Sequence, residues 1–174
     1  QIFHVREIQN RILLNYRQDF SKHIPGSLLT KVNLVWDSVP AQLAKENKKF
    51  IYGMLKKGGR AKEFEDAIQW LVDAGLVFRV NRINKVCMPL KFYEEFNAFK
   101  LYLLDLGLLG AMVDAPAKNI LIGDNVFKEY KGAFTEQYVA QQIVACNVTP
   151  KYYNNENSTN EIDFVVQLGN VYPI

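Results

Sequence analysis

The stretch RAKEFEDAIQWLVDAGLVFRV, residues 60–80, decides the fold class, because it passes directly from a helical to a strand pattern. Apolar side chains recur at helical spacing over 60–74, which predicts an amphipathic helix. These side chains are Phe64, Ala67, Ile68 and Leu71. Gly75 stands where a helix-ending glycine belongs, and 76–80 then has the composition of a strand. A helix followed at once by a strand predicts a protein of mixed α and β structure.

The flanking residues extend this pattern to a winged helix. Two shorter helical segments are predicted over 41–45 and 50–55, before the long helix. After the first strand, 81–85 has turn composition and 86–88 reads as the returning strand. Three helices followed by a two-stranded ribbon describe a winged helix-turn-helix, which we expect over residues 39–90.

The N-terminal part is expected to be helical. Apolar residues at helical spacing predict an amphipathic helix over 3–23, and a second helix is predicted over 27–36. Asp37 and Ser38 offer N-cap chemistry, and Pro40 suits the first turn of the helix that follows.

The last third of the chain has another rhythm, in which short apolar strands flank a long helix. The predicted elements are a strand over 99–104, a helix from Asp105 to Val113, a loop over 114–123, a helix capped by Asp124 or Asn125 and reaching about Cys146, and strands over 151–153 and 161–168 that turn at Gly169. The long helix is expected to bury Phe127, Phe134, Tyr138 and Ile143. The fold class is therefore α+β, rich in helix.

Composition indicates a globular chain without membrane spans. Of the 174 residues, 49% are apolar and 22% charged, which excludes a disordered tail or a collagen-like repeat. The most apolar stretch, 101–113, is too short to cross a bilayer. Cys87 and Cys146 stand far apart, as expected of buried thiols in a reducing compartment, so we expect a cytoplasmic protein.

Charge is uneven along the chain. The net charge is +3 overall, +5 over 41–90 and −4 over 91–174. The total is too mild to indicate a nucleic-acid partner by itself. The asymmetry fits two modules with different roles, and it equally fits two ordinary solvated surfaces.

A basic cluster marks the start of the third predicted helix, where winged helices usually contact phosphates. The candidate nucleic-acid-binding residues are Lys56, Lys57, Arg60 and Lys62, with Arg79 and Arg82 on the wing. Glu63, Glu65 and Asp66 follow at once and would repel phosphates. Contact with DNA and a structural or protein-binding winged helix therefore both remain open.

Three carboxylates are the other candidate site. Glu136 lies on the long helix, and the period-two spacing of Glu161 and Asp163 puts both on one face of a strand. Such oxygen ligands suit Mg²⁺, which polarises a phosphodiester and activates water. The alternative is a solvated strand end beside a helix surface. The GxxxxGK(S/T) and GxGxxG loops that bind nucleotide phosphates are absent.

Several of these stretches resemble the DUF4143 family, whose domain follows an AAA-type ATPase module in many prokaryotic ATP-binding proteins. The matching stretches are GAFTEQYVA (132–140), EIDFVV (161–166), FKLYLLDLGLL (99–109) and YPI (172–174), with WLVDAGLV (70–77) in the winged-helix part.

The resemblance implies a PD-(D/E)XK endonuclease-like module over 91–174, with Glu136 and Asp163 in catalytic roles and Mg²⁺ at Asp163 and Glu161. It also implies that an E-x-K motif follows Ile174, so that the module is truncated. Residues 1–38 would connect to an ATPase module before Gln1, and ATP would bind there rather than in this chain.

We therefore expect the C-terminal region of an ATP-binding protein, associated with DNA and coupled to that ATPase. The alternatives are an Mg²⁺-dependent nuclease in the intact protein and a non-enzymatic module that docks a partner or a second subunit.

Overall fold

The computed structural model describes residues 2–115, 128–155 and 161–174, and over these it is an α+β protein with a five-stranded mixed sheet. The helices of the described residues are α1 (Ile2–His23), α2 (Gly26–Leu43), α3 (Ala61–Asp73), α4 (Leu106–Met112) and α5 (Lys128–Ala145). The strands are β1 (Val77–Ile83), β2 (Glu94–Leu103), β3 (Lys151–Asn154), β4 (Glu161–Leu168) and β5 (Asn170–Pro173). Short 3-10 turns occupy Tyr52–Met54 and Leu90–Tyr93.

The strands lie in the order β2-β1-β3-β4-β5. Neighbouring strands are antiparallel except β1 and β3, which run parallel with Arg82 opposite Tyr152. A parallel pair needs a long crossover, and here β2, α4 and α5 lie between the two strands in the chain. One sheet thus joins strands from both sides of residue 90.

The core lies where α2 and α3 pack together, with α2 contacting β2 and α3 contacting β1. Trp36 of α2 is almost fully buried, and Phe20 of α1 packs edge-on against it at 5.9 Å between ring centroids. The four apolar side chains that predicted α3 are all buried, and each of the three large ones, Phe64, Ile68 and Leu71, contributes about 1.5–3 kcal/mol to folding. The helical prediction around residues 60–74 is therefore confirmed.

The predicted break at Asp37–Pro40 is wrong, because α2 continues through it as one helix. Val35, Val39 and Leu43 recur every four residues and form one buried stripe across the predicted break. Pro40 removes one helical hydrogen bond, but it stands in the last turn, where burial of that stripe outweighs the loss.

The predicted return strand over 86–88 is also wrong. β1 pairs instead with β2, Val77 opposite Leu103 and Asn81 opposite Phe99. The segment over 99–104, predicted as a separate strand, is thus the main part of the returning strand. Its continuous apolar run buries more surface than 86–88 offers, so the hairpin closes through a longer turn.

The remaining predicted helices and strands of the described residues are confirmed in type and order, with two exceptions. The turn predicted over 81–85 is wrong at 81–83, which extends β1, and the helical segment predicted over 50–55 forms only the 3-10 turn Tyr52–Met54. Asp105 caps α4 by accepting a hydrogen bond from the Leu108 backbone N–H at 2.9 Å. Gly75 adopts a left-handed φ of 69° after α3, as a helix-ending glycine should. The predicted cap at 124–125, most of the loop over 114–123, and Phe127 lie outside the described residues.

The buried face of α5 differs from the prediction. Phe134 is buried as expected, but Tyr138 is 52% exposed. Gln137 is fully buried in its place, because its side-chain amide bonds both backbone groups of Leu103. A polar residue that completes the edge of β2 thus sets the rotation of the helix.

Candidate functional site

A buried lysine, Lys100 of β2, is the centre of the most strongly charged cluster among the described residues. Its side chain is 1% exposed. The ammonium Nζ lies 2.7 Å from Glu161 Oε1, 3.5 Å from Glu136 Oε2 and 3.7 Å from Asp163 Oδ1. It also lies 4.9 Å from the centre of the Tyr152 ring. The three carboxylates predicted as a metal site are therefore brought together, but around an ammonium group.

Three elements position these groups. The period of two along a strand places Lys100 and Tyr102 on one face of β2, and Glu161 and Asp163 on one face of β4. Glu136 reaches the same point from α5, which contacts β2. Lys100 is not among the predicted site residues, although a single lysine inside the apolar run 98–103 indicates a buried counter-charge.

Glu136 is held from two further directions. It accepts a hydrogen bond from the Tyr102 hydroxyl at 3.0 Å, and its other carboxylate oxygen lies 2.5 Å from Nζ of Lys48. Lys48 belongs to the segment between α2 and the first 3-10 turn and has a left-handed φ of 50°. A residue far away in sequence thus contributes the second cation of the cluster.

Burial and neighbouring charge suppress the ionisation of both tyrosines. Burial, followed by the negative charge of Glu136, raises the pKa of Tyr102 well above its ordinary value. Burial also raises the pKa of Tyr152 to about 12. Both phenols therefore stay protonated at neutral pH, and Tyr102 acts as a hydrogen-bond donor to Glu136.

The cluster carries a formal charge of −1, since three carboxylates face two ammonium groups. Three carboxylates are a donor set that suits a hard cation such as Mg²⁺. However, the ammonium of Lys100 occupies their common point, and the described residues hold no group of three or more His, Cys, Asp or Glu arranged for a metal. A metal ion would have to displace the ammonium group of Lys100. Asp163, which is 50% exposed, is the carboxylate of the cluster most open to solvent.

The predicted basic cluster lies on the surface around the start of α3. Lys56, Lys57, Arg60 and Lys62 are all exposed. Glu63 caps the helix by accepting from the Arg60 backbone N–H at 3.2 Å, and it lies 3.3 Å from Lys56 Nζ.

The Arg60 backbone bond, Lys56 and the nearby Lys31 of α2 together lower the pKa of Glu63. Lys31, which is not among the predicted nucleic-acid-binding residues, therefore adds a cation to this surface.

The two predicted wing cations are instead engaged within the fold. The guanidinium of Arg79 stacks on Phe99 at 3.9 Å and pairs with Glu65. Arg82 pairs with Glu95 at 2.5 Å. Both arginine side chains are at most 15% exposed, so the structure separates them from the exposed cluster before α3. Glu65, expected to repel phosphates, is neutralised by its contact with Arg79.

Comparison with known proteins places the chain in a family. Residues 1–119 match the family model of DUF8612, a domain of unknown function. The match spans more than half of the chain, which therefore belongs to this family. No curated protein and no solved structure matches the chain.

The family match overturns the resemblance to DUF4143, which was wrong. The residues assigned to an ATPase connection and a winged-helix part belong to the DUF8612 match instead, and no ATPase or endonuclease family matches. The motifs behind the resemblance are short stretches of strand and helix, which limits their specificity. Separately, no helix in the described part of the chain is long and apolar enough to cross a membrane.

Proposed function

We propose that this member of the DUF8612 family binds nucleic acid through the exposed cations around the start of α3. The observation that carries the proposal is that Lys57, Arg60 and Lys62 have no carboxylate partner among the described residues, while the acids beside them are occupied. Glu63 caps its own helix, and Glu65 pairs with Arg79. The cations are therefore free to contact phosphates.

The order of elements supports this proposal. α2, the 3-10 turn, α3 and the β1–β2 hairpin follow one another as in a winged helix, in which the helix before the hairpin approaches the groove of DNA. The N-terminus of α3 also carries the positive end of the helix dipole, which favours phosphate. In this arrangement the loop over 56–60 contacts the backbone and the exposed face of α3 lies toward the bases.

Salt dependence gives the proposal a magnitude. Each phosphate neutralised by a cation contributes about −0.9 to the slope of log K against log salt. Three contacts from Lys57, Arg60 and Lys62 thus predict about −2.7 of the total slope, and removing them should flatten the dependence by that amount.

The test measures binding of a short labelled DNA duplex by fluorescence anisotropy, from low to physiological salt. The variant Lys57→Ala/Arg60→Ala/Lys62→Ala is expected to lose at least tenfold in affinity at low salt and to show the flatter salt dependence. Circular dichroism checks that it remains folded.

The matched control is Arg11→Ala/Lys22→Ala/Lys45→Ala, which removes the same charge from other exposed positions. It is expected to bind nearly as the parent does. Equal losses in both variants would mean that only net charge matters, and unchanged binding in the first would refute the proposed surface.

A second candidate function is hydrolysis of a phosphodiester with a divalent cation at the Lys100 cluster. The convergence of Glu136, Glu161 and Asp163 within 4 Å of one point favours it. When bound, the cation would polarise the phosphate and activate water.

Its test is the cleavage of labelled DNA in Mg²⁺ by the parent, Asp163→Asn and the surface control Asp66→Asn. Cleavage that only Asp163→Asn abolishes supports the candidate. No cleavage by the parent, or equal cleavage by Asp163→Asn, leaves the cluster with a role in the fold alone.

A further inference from the structure

Two phenylalanine rings project into solvent at the end of the β1–β2 hairpin. Phe92 is 83% and Phe96 69% exposed, and they are the two most exposed of the large apolar side chains in the described ranges. Single exposed apolar residues are ordinary, but two aromatic rings within five residues suggest a binding surface.

The backbone that carries Phe92 is fixed. Phe92 belongs to the 3-10 turn Leu90–Tyr93, and its N–H bonds the Pro89 carbonyl at 3.1 Å. The turn is anchored to β4, because the Leu90 N–H donates to the side chain of Gln167 at 2.9 Å. The ring is therefore displayed from an ordered turn.

Phe96 is displayed by a bulge. The register of the hairpin shifts between Arg82, opposite Glu95, and Asn81, opposite Phe99, so the residues between 95 and 99 have no partner on β1. Such bulges redirect side chains away from the regular pleat. The Phe96 carbonyl accepts a hydrogen bond from Arg79 Nη2 at 2.6 Å, which holds the bulge in place.

The charge around the rings is positive. Lys85 and Lys91 form no salt bridge among the residues the structure describes, although Lys91 contributes to the lowered pKa of Glu94. The acids nearby are already paired, Glu94 with Lys151 and Glu95 with Arg82. A partner that offers flat apolar faces and negative charge together fits this surface, and that is the chemistry of unpaired nucleotides.

The rings are also close to the surface proposed for phosphate contact. Arg79 bridges Glu65 of α3 and the carbonyl of Phe96, so the bulge lies one arginine side chain away from α3. Glu65 follows Lys62 by three residues and shares its helix face. Phe96 is thus connected through Arg79 to the helix that carries the exposed cations.

We infer that Phe92 and Phe96 form a base-stacking platform, so that the nucleic acid bound by this protein contains an unpaired stretch. This inference rests on the proposed nucleic-acid binding and specifies its substrate. The cations before α3 hold the backbone, and the rings stack on bases that are not in a duplex. The partner is recognised by its exposed base faces rather than by its sequence.

The experiment compares a single-stranded thymidine oligonucleotide with a blunt duplex, by anisotropy with the full chain. The variant Phe92→Leu/Phe96→Leu keeps the apolar character and removes the rings. It is expected to bind the single strand about a hundredfold more weakly, about tenfold for each ring, and the duplex unchanged. The control Phe92→Tyr/Phe96→Tyr keeps the rings and should stay within about threefold of the parent on both ligands.

The outcomes separate the two proposals. Equal single-strand binding by the leucine variant and the parent overturns the platform, and so does an equal loss on both ligands. Loss of single-strand binding in the tyrosine variant overturns it too, since the rings are retained. If the Lys57→Ala/Arg60→Ala/Lys62→Ala variant binds both ligands as the parent does, the proposed phosphate surface fails instead, whatever the rings do.

Discussion

Replacing Lys100 with methionine should destabilise the protein strongly. The substitution keeps the length of the side chain and its apolar stem but removes the ammonium group. It leaves Glu136, Glu161 and Asp163 facing one another beside β2 without their common cation. Because the ammonium is their common partner, three contacts are lost in one step.

The size of the effect follows from the burial of each carboxylate. Removing one partner of a buried ion pair costs about 3–5 kcal/mol, because the other charge stays buried. Asp163 is half exposed and Glu161 27% exposed, so both can regain water. Glu136 is 11% exposed and keeps Lys48 and Tyr102 as partners. These remaining contacts place the expected loss at the lower end, about 3 kcal/mol.

Urea unfolding at neutral pH, followed by the fluorescence of the buried Trp36 and the half-buried Trp70, measures the loss as a lower midpoint at constant slope. The control is Lys91→Met, an exposed lysine that forms no salt bridge among the described residues, which should change stability by less than about 0.5 kcal/mol. The double variant Lys100→Met/Glu136→Gln should lose less stability than the sum of the losses of the two single variants. The reason is that Glu136→Gln removes the most buried of the carboxylate charges that Lys100→Met leaves unpaired.

A loss below about 1 kcal/mol for Lys100→Met would refute this reasoning. It would mean that the ammonium and the carboxylates are hydrated rather than buried together, and the cluster would then be a solvated surface. Additive losses in the double variant would show that Lys100 and Glu136 do not interact, whatever the size of the single loss.

Three further changes test other parts of the structure, each by urea unfolding. Burial by itself would raise the pKa of Glu94, but hydrogen bonds from Lys151 and other partners outweigh burial and lower the pKa. The stability that this carboxylate contributes is therefore present above pH about 4.5 and is lost as the pH falls through the lowered pKa. Glu94→Gln should accordingly reduce the acid sensitivity of the protein. Gln137→Ala leaves both backbone groups of Leu103 unpaired in a buried site and should cost about 2–4 kcal/mol. Gly132 lies inside α5 with open space where a Cβ would be, so Gly132→Ala should stabilise by about 0.5–1 kcal/mol; a loss would contradict the helical assignment there.

Local patterns in the sequence predicted most of the elements, because helix periodicity, caps and glycine positions are local signals. α1, α3 and α4 were predicted almost to their ends. The errors arose where packing overrides local preference. Pro40 signalled a break, but the buried stripe of α2 continues past it. β1 pairs with β2, which has the larger apolar run, rather than with the nearer segment 86–88.

The sequence predicted the carboxylates of the candidate site but not its lysines. The spacing of Glu161 and Asp163 correctly put them on one face, and Glu136 does reach the same place. The two lysines were not found, because no local pattern connects Lys48 with a helix almost ninety residues later. The prediction that Arg79 and Arg82 are exposed cations was wrong, because their carboxylate partners lie on other elements of the fold.

The cluster also bears on how the DUF8612 match relates to the rest of the chain. Both ammonium groups, on Lys48 and Lys100, lie within residues 1–119, whereas the three carboxylates lie beyond them. The same holds for the sheet, where β1 belongs to the matched region and its parallel neighbour β3 does not. A buried lysine without its counter-charges is costly, and so is a sheet edge without its partner. The basic middle and acidic end of the sequence are therefore not evidence of two independent modules. At this cluster the opposite charges neutralise each other, and the structural unit is larger than the matched region.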